Sequence, residues 1–186
     1  YAFVYSDEIN MESVGVYLKE VLATHLPENV ENITLHLREE VINSPYYHYT
    51  HGLKKHDGNC QRIAHGHRSR IDIILDGKVC SESQQYWADR WADIYIATRE
   101  DEIAYSDRKL KGEVANETDY YCFAYESSQG YFELLIPKSD CEVIETDSTV
   151  ECLAQYLLEE QKKRTPDGVC QVIAYEGVGK GATVKG

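Results

Sequence analysis

A chain of 186 residues with 42% hydrophobic content is long enough for one sizeable domain or two small ones. The net charge of −13 at pH 7 argues against non-specific nucleic-acid binding, which needs a basic surface. No apolar run reaches the roughly 18 residues of a membrane-spanning helix, so we expect no membrane partner. The six cysteines lack the short spacing of a disulfide scaffold, which favours free thiols and a cytoplasmic location.

Three stretches have the apolar spacing of helices. The first follows Asn10, a suitable N-cap, and its apolar face contains Val14, Tyr17, Leu18, Val21, Leu22 and His25. The second is traced by Trp87, Trp91, Ile94, Tyr95 and Thr98. The third begins at a capping-box signature, Ser148 with Glu151, and is predicted to run to about Arg164.

Alternating segments predict the strands. "ITLHLREEV" follows the first helix, and Arg68 to Leu75 alternates until the turn "DG". "YYCFAY" and "YFELLI", joined by "ESSQG", predict a β-hairpin. The chain closes with "VCQVIAYE", a glycine-rich turn and "ATVKG".

The first and third helices form part of a predicted internal repeat. "MESVGVYLKE" and "VECLAQYLLE" superpose at a constant offset, which also carries Pro27 onto Pro166. A slip of two residues then sets Glu39 opposite Glu176, each in the strand after its helix. The alternative is chance similarity between two amphipathic helices. If the repeat is real, the first copy lacks its front half.

Histidines near the middle of the chain predict a metal site. His65 and His67 are two apart on a predicted strand, so their imidazoles point to the same face. His51 ends the alternating stretch "YYHYTH" and is a candidate third ligand, with His48 and His56 as rivals. Three neutral imidazoles with an open position are typical of catalytic zinc. The alternative is a polar strand end that happens to carry histidine.

A cysteine and a cluster of basic residues accompany these histidines. Cys60 precedes His65 by five residues, and nearby cations or a metal would favour its thiolate as a base or nucleophile; a buried structural cysteine is the alternative. Positive charge is concentrated here in an otherwise acidic protein, against the single acid Asp57, in the residues Lys54, Lys55, Arg62, Arg68 and Arg70. A solvated loop with chance charge would look the same.

At these residues the chain resembles the 6-pyruvoyl-tetrahydropterin synthases and the bacterial 6-carboxy-tetrahydropterin synthases. The resemblance is carried by "YTHGL" with His51, by Cys60, and by "HGH" with His65 and His67. It continues in "STVECLAQYL", and in "VIAYEGVGKGATVKG" with Glu176. The likeness covers about residues 46–186.

The resemblance implies an α+β tunnelling fold, an antiparallel four-stranded sheet with helices packed on one face. Subunits of that family join their sheets into a barrel with active sites at the interfaces, so a homo-oligomer is expected. With the repeat, the fold would be partly duplicated. Residues 1–45 would be the C-terminal half of a first unit, and 46–186 a second unit with an inserted hairpin near 120–137.

The resemblance also implies roles for these residues. His51, His65 and His67 would bind Zn²⁺, Cys60 would be the general base, and Glu176 would anchor the pterin ring. Glu39 or Glu40, the repeat counterpart of Glu176, would be a second anchor or a relic. The family's usual substrate is dihydroneopterin triphosphate, whose phosphates would be attracted by Lys54, Lys55, Arg62 and Arg68. The product could be of the pyruvoyl, carboxy or aldolase type.

The chain also departs from the family. The family has an Asp-His pair in its proton relay after the first helix, and no histidine occurs between Trp91 and Ser148. We therefore expect the relay to come from a neighbouring subunit or from the missing front half, in which case this chain alone would turn over poorly. One alternative is a catalytically impaired protein that binds zinc and a pterin- or purine-like ligand. Another is a cupin-type metal enzyme, which the predicted helices disfavour.

Overall fold

The structure is a computed structural model that describes residues 5–38, 41–168 and 170–186. It divides into two compact units, with the boundary between Val41 and Ile42. Among the described residues, no helix combines the length and the apolarity needed to cross a bilayer.

The first unit contains helix α1 (Met11–Ala23). Asn10 is its N-cap, as predicted: the Asn10 side chain accepts from the Ser13 N–H, and the Ser13 hydroxyl accepts from the Asn10 N–H, each at 3.0 Å. Residues 31–38 form no strand, contrary to the prediction for "ITLHLREEV". An alternating segment becomes a strand only when a neighbouring strand pairs with it. Glu39 and Glu40 lie outside the described residues.

The second unit contains the remaining helices and strands. Its helices are α2 (Ser81–Arg90) and α3 (Val150–Arg164). Its first five strands are β1 (Tyr46–His51), β2 (His65–Leu75), β3 (Lys78–Val79), β4 (Ala92–Thr98) and β5 (Glu102–Ile103). The other five are β6 (Tyr120–Ser127), β7 (Gly130–Pro137), β8 (Cys141–Ile144), β9 (Cys170–Gly177) and β10 (Lys180–Lys185).

The main sheet contains the four antiparallel strands that were predicted, in the order β10-β9-β2-β1. Two more strands extend it: β4 pairs with β1 and β8 pairs with β4, both in parallel. The short strand β3 pairs with β2. This mixed, open sheet with helices on it is the α+β fold expected of the family, and it excludes the cupin alternative, which needs a closed β-barrel.

One face of this sheet packs against α2 and α3. Because strand side chains alternate between the two faces, every second residue of β1, β2 and β9 enters this core. The fully buried members from the strands and helices include Tyr47, Ile71, Ile73, Trp87, Trp91, Leu153, Leu157 and Val172. The site described below lies at the end of β1, β2 and β9, where this packed face stops.

The second predicted helix is wrong in its position. The helix ends at Arg90, and the residues from Ala92 to Thr98 form β4 instead. Ile96 of β4 packs in the helix-facing core, whereas Tyr95 and Ala97 pack in a second core on the other side. A strand buried on both faces has a continuous apolar run that periodicity cannot distinguish from a buried helix.

The predicted hairpin is confirmed as β6 and β7, which join β5 in a separate three-stranded sheet. Phe123 of β6 is 1% exposed and packs with Tyr95 and Ala97 of β4. The hairpin is therefore fastened to the main sheet on the face opposite the helices.

Candidate metal centre and pterin site

Three histidines converge at the ends of β1 and β2. His51 is directly opposite His65 in the antiparallel register, and His67 lies two residues further along the same face of β2. One ligand atom from each of the three lies within 4.8 Å of the others. The sequence pattern placed these three side chains on one face in the same way, because both the "HGH" alternation and the strand pairing act over short distances; their role as metal ligands stays a prediction.

Hydrogen bonds fix which imidazole nitrogens are free to bind a metal. Nδ1 of His67 lies 3.1 Å from the Glu176 carbonyl oxygen, which can only accept, so Nδ1 carries the proton and Nε2 presents a lone pair. Nδ1 of His51 contacts the Ser148 hydroxyl at 2.8 Å. Ser148 is fully buried, and the cap of α3 is Thr149 rather than the predicted Ser148 with Glu151. Ser148 thus orients a candidate ligand, a role that no sequence motif indicated.

The cluster contains buried polar atoms that lack a partner. Among the described residues, four buried side-chain nitrogen and oxygen atoms make no hydrogen bond: Nε2 of His51, both ring nitrogens of His65, and the Tyr49 hydroxyl. The Tyr49 ring packs against His51 and His67, so all four belong to one neighbourhood. Leaving such atoms unpaired costs about 1–3 kcal/mol each. A metal ion bound by the three imidazoles removes much of that cost, so this donor set fits zinc.

The electrostatic environment keeps the imidazoles of His51 and His65 neutral. Burial lowers the pKa of His51 to about 3, and the neighbouring His65 and His67 add to the shift. Burial also lowers the pKa of His65. The neutral imidazole is the form that binds a metal.

We expect the zinc-free protein to lose stability in mild acid because of His51. Its folded pKa lies below the value of about 6.5 in an unfolded chain, so the unfolded state binds the proton first and stability falls as the pH drops below 6.5. The expected loss between pH 7.5 and 5.5 is about 1.4 kcal/mol from this group. Urea unfolding after chelation at both pH values measures it. His51→Gln should reduce the difference by about that amount, whereas the exposed control His56→Gln should keep it.

Glu176 lies beside the histidine cluster at the end of β9. Its side chain is only 13% exposed and forms an ion pair with Lys180. Its main-chain carbonyl holds His67, so one residue contacts a candidate metal ligand with its backbone and presents a carboxylate nearby. The pKa of Lys180 is raised mainly by the hydrogen bond and charge of Glu176, with a smaller contribution from Cys60. Lys180 therefore lies within electrostatic range of both predicted site residues.

Cys60 lies in a short 3-10 turn, Asn59–Gln61, within the loop between β1 and β2. The thiol is free and half-buried, as are the sulfurs of three other cysteines, and none of the six is in a disulfide. The Cys60 carbonyl accepts from the Leu53 N–H at 2.8 Å. The turn is thus tied back to the chain two residues after His51.

The predicted basic residues do not form one surface. Lys54 is 17% exposed and bonds to Glu100 at 2.8 Å and Asp101 at 2.5 Å. Lys55 pairs with Asp147 at 3.1 Å.

The arginines of this group lie apart from the lysines. Arg68 and Arg70 alternate with His67 and Ser69 on β2 and so occupy the reverse face of the sheet. Arg70 binds Asp72 there at 3.1 Å. Arg62, which follows the Cys60 turn, is the predicted cation closest to Cys60 along the chain.

An imidazole–carboxylate pair that the sequence did not predict lies on that reverse face. Nδ1 of His48 is 2.6 Å from the Asp93 carboxylate and 3.0 Å from the Asp93 main-chain nitrogen. Asp93 has a φ of 56°, which is uncommon for a non-glycine residue and turns both groups toward His48. The pair borders a cavity of about 410 Å³ that His67 also lines. Neither His48 nor His56 belongs to the cluster formed by His51, His65 and His67.

Comparisons with known proteins agree with the fold. The family model described as 6-pyruvoyl tetrahydropterin synthase matches residues 40–186. A search of curated proteins finds no significant match. The fold resembles a Plasmodium vivax 6-pyruvoyltetrahydropterin synthase with a catalytic glutamate changed to alanine, at 21% identity and a TM-score of 0.51, covering 78% of this chain and 94% of that one. The Plasmodium falciparum enzyme gives 18% identity, a TM-score of 0.50 and the same coverage. The chain belongs to the 6-pyruvoyl tetrahydropterin synthase family.

Proposed function

We propose that this protein is a zinc-dependent pterin synthase, a lyase that converts dihydroneopterin triphosphate into a 6-substituted tetrahydropterin. The observation that carries the proposal is the placement of Glu176 beside three clustered imidazoles, two of which, those of His51 and His65, have buried ring nitrogens without a partner. One arrangement thus offers a metal site and a carboxylate for a pterin ring. Family membership supplies the substrate class.

His51, His65 and His67 would hold the zinc ion. Bound there, zinc would act as a Lewis acid that polarises a substrate oxygen. Ser148 and the Glu176 carbonyl would keep His51 and His67 oriented, which reduces the reorganisation needed for binding.

Glu176 would anchor the pterin through its carboxylate. A carboxylate accepts two parallel hydrogen bonds, which matches the ring N–H and amino group of a pterin. Its present partner Lys180 is 76% exposed and can swing into solvent when ligand arrives. Because the same residue orients His67, ring position and metal position would be fixed together.

Cys60 would be the general base that removes a proton from the pterin side chain. Its place in the chain supports this role, because its turn lies between the candidate ligands His51 and His65. Arg62 follows the turn and remains the best placed of the predicted phosphate-binding residues. Lys54 and Lys55 would first have to leave their acidic partners.

We expect Glu176→Gln to weaken pterin binding by about 10- to 150-fold, the effect of losing charge-assisted hydrogen bonds worth about 1.5–3 kcal/mol. Calorimetry with a pterin, such as neopterin, measures the affinity. Zinc content should stay unchanged, because His67 is held by the main-chain carbonyl of this residue and not by its side chain. The exposed helix residue Glu159, changed to Gln, is the matched control. Equal affinity in the Glu176 and Glu159 variants would refute the anchor.

The second proton-transfer group would come from a neighbouring subunit. The Asp93 carboxylate holds the His48 imidazole, but this pair lies on the opposite face of the sheet from the three clustered histidines of its own chain. Strand β10 ends the sheet and has no second strand partner among the described residues, so it offers an edge for joining subunits. We therefore propose a homo-oligomer in which sites lie between chains.

Subunit mixing tests this arrangement. Cys60→Ala and His48→Gln proteins should each be nearly inactive, and co-refolding them should restore activity that neither has alone, because some interfaces then combine two intact residues. Wild-type activity in His48→Gln would exclude the pair from the relay. If both variants were inactive and co-refolding restored no activity, both residues would belong to a site formed by one chain.

A second candidate function is a protein that binds zinc and a pterin- or purine-like ligand without turnover. It is favoured by one observation, that Lys54 and Lys55 are neutralised by acids rather than free for a triphosphate. Ligand binding without product formation by the zinc-loaded protein would identify this function.

A further inference from the structure

The hairpin β6–β7 makes hydrogen bonds to the turn that contains Cys60. The Tyr125 hydroxyl donates to the Gln61 carbonyl at 2.8 Å, and the Ser128 hydroxyl donates to the Gln61 side-chain oxygen at 2.8 Å. The side-chain amide of Gln129 donates to the Gly58 carbonyl. Three residues from the hairpin tip thus bind the residues on both sides of Cys60.

The bond between Tyr125 and Gln61 is made in a tightly packed place, whereas the bond from Gln129 is exposed. Tyr125 is 7% exposed and Gln61 is 4% exposed, so neither group exchanges its partner freely with water. A Cβ atom at Gly52 would lie 2.1 Å from the Tyr125 hydroxyl, which shows how closely the two approach. Since Gly52 follows His51 directly, the Tyr125 hydroxyl lies between the end of the ligand-bearing strand and the Cys60 turn.

The hairpin itself is well anchored. Its strand β6 pairs with β5 and β7, and Phe123 is packed against Tyr95 of the main sheet. Tyr95 in turn donates to the Ile63 carbonyl at 2.7 Å, so the same structure also holds the segment that leads to His65. The loop also has main-chain bonds of its own, to which the hairpin adds: the Leu53 N–H donates to the Cys60 carbonyl at 2.8 Å, the Arg62 N–H to the Asn59 carbonyl at 3.1 Å, and the Gln61 N–H to the Gly58 carbonyl at 3.3 Å.

We propose that the β6–β7 hairpin is a positioning device that holds Cys60 at a fixed place relative to His51 and His65. Its positioning residues are Tyr125, Ser128 and Gln129, and none of them is proposed to contact the substrate. The catalytic consequence rests on the proposed role of Cys60 as the base. A displacement of about 1 Å in a reacting group costs up to about 100-fold in rate, so a loosened turn should slow catalysis without removing any catalytic atom.

Tyr125→Phe and Ser128→Ala test the proposal, because each deletes a hydroxyl and leaves the packing in place. The zinc-loaded full chain is compared by amide hydrogen exchange over residues 58–63 and by kcat and KM. We expect exchange in this segment to rise at least about tenfold in the double variant, kcat to fall by about 10- to 100-fold, and KM and zinc content to stay within about twofold. Ser128→Thr alone, which keeps the hydroxyl, should retain the wild-type values. Tyr131→Phe is the matched control, since it removes a tyrosine hydroxyl bonded to Glu133 on the same hairpin.

The outcomes separate this proposal from the proposed function. Unchanged exchange over residues 58–63 would show that the hairpin does not hold the turn. Faster exchange with wild-type kcat, in a protein that Cys60→Ala inactivates, would show that the hold has no catalytic effect. Full turnover by Cys60→Ala would instead refute the base assignment, and the exchange result alone would then decide whether the turn is held.

Discussion

His65→Ala and His67→Ala are expected to reduce zinc content from about one ion per chain to below about a tenth. Each substitution leaves two imidazoles, and catalytic zinc in proteins is bound by three protein ligands. The three ligand atoms lie within 4.8 Å of one another, so all three would share the ion and the affinity should collapse when one ligand is lost. Metal analysis by mass spectrometry after dialysis against excess zinc and gel filtration measures the content.

His56→Ala is the matched control, because His56 is exposed and lies outside the cluster, in the loop between β1 and β2. It should keep the full zinc content. Undiminished zinc in both His65→Ala and His67→Ala would refute the site. Loss of folding is checked by circular dichroism, and His67→Gln, which keeps the size of the side chain, should also lose zinc while remaining folded.

Cys60→Ala is expected to lower kcat by about 10²- to 10⁴-fold, the usual contribution of a positioned general base. Zinc content and pterin affinity should remain within about twofold, because Cys60 is not among the three clustered ligands and lies in a loop turn. Steady-state kinetics with dihydroneopterin triphosphate, together with metal analysis, measures the separation.

Cys80→Ala is the control thiol, since Cys80 lies at the start of α2. It should keep the wild-type kcat. If Cys60→Ala kept wild-type kcat with full zinc content, the base would have to be another group, and the role of Cys60 would be structural.

Local patterns in the sequence predicted the features that depend on neighbouring residues. The alternation in "HGH" and in "YYHYTH" was enough to place His51, His65 and His67 on one face, and the hairpin followed from two apolar runs around a polar turn. The N-cap Asn10 was found in the same way. These features are determined within a few residues or by adjacent strands.

Features that depend on distant residues were missed. β4 was taken for a helix because both of its faces are buried, one against the helices and one against the hairpin sheet. The basic cluster looked free because Glu100 and Asp147, which neutralise Lys54 and Lys55, are 46 and 92 residues away in the chain. Periodicity and local charge contain no information on such long-range contacts.

The same limit applied within the site. Ser148 was predicted to be part of a helix cap, whereas its hydroxyl contacts His51 of β1, which lies 97 residues earlier in the chain. The His48–Asp93 pair joins residues 45 apart, and neither has a motif around it. Ser148 and Asp93 each bind an imidazole nitrogen, of His51 and His48 respectively. A histidine in a sequence does not indicate which group will bind its ring nitrogens.

The most direct test of the central claim is turnover of dihydroneopterin triphosphate by the zinc-loaded protein, followed by liquid chromatography and mass spectrometry. A pyruvoyl- or carboxy-forming lyase should release inorganic triphosphate with a 6-substituted tetrahydropterin, whereas aldolase-type cleavage should release the pterin and leave the triphosphate on the side-chain fragment. In each case the products should disappear after chelation and return with added zinc. The mass of the pterin would also decide among the pyruvoyl, carboxy and aldolase-type products. Tight pterin binding by a fully zinc-loaded protein, with no product and no triphosphate released, would contradict the account and identify a binding protein instead.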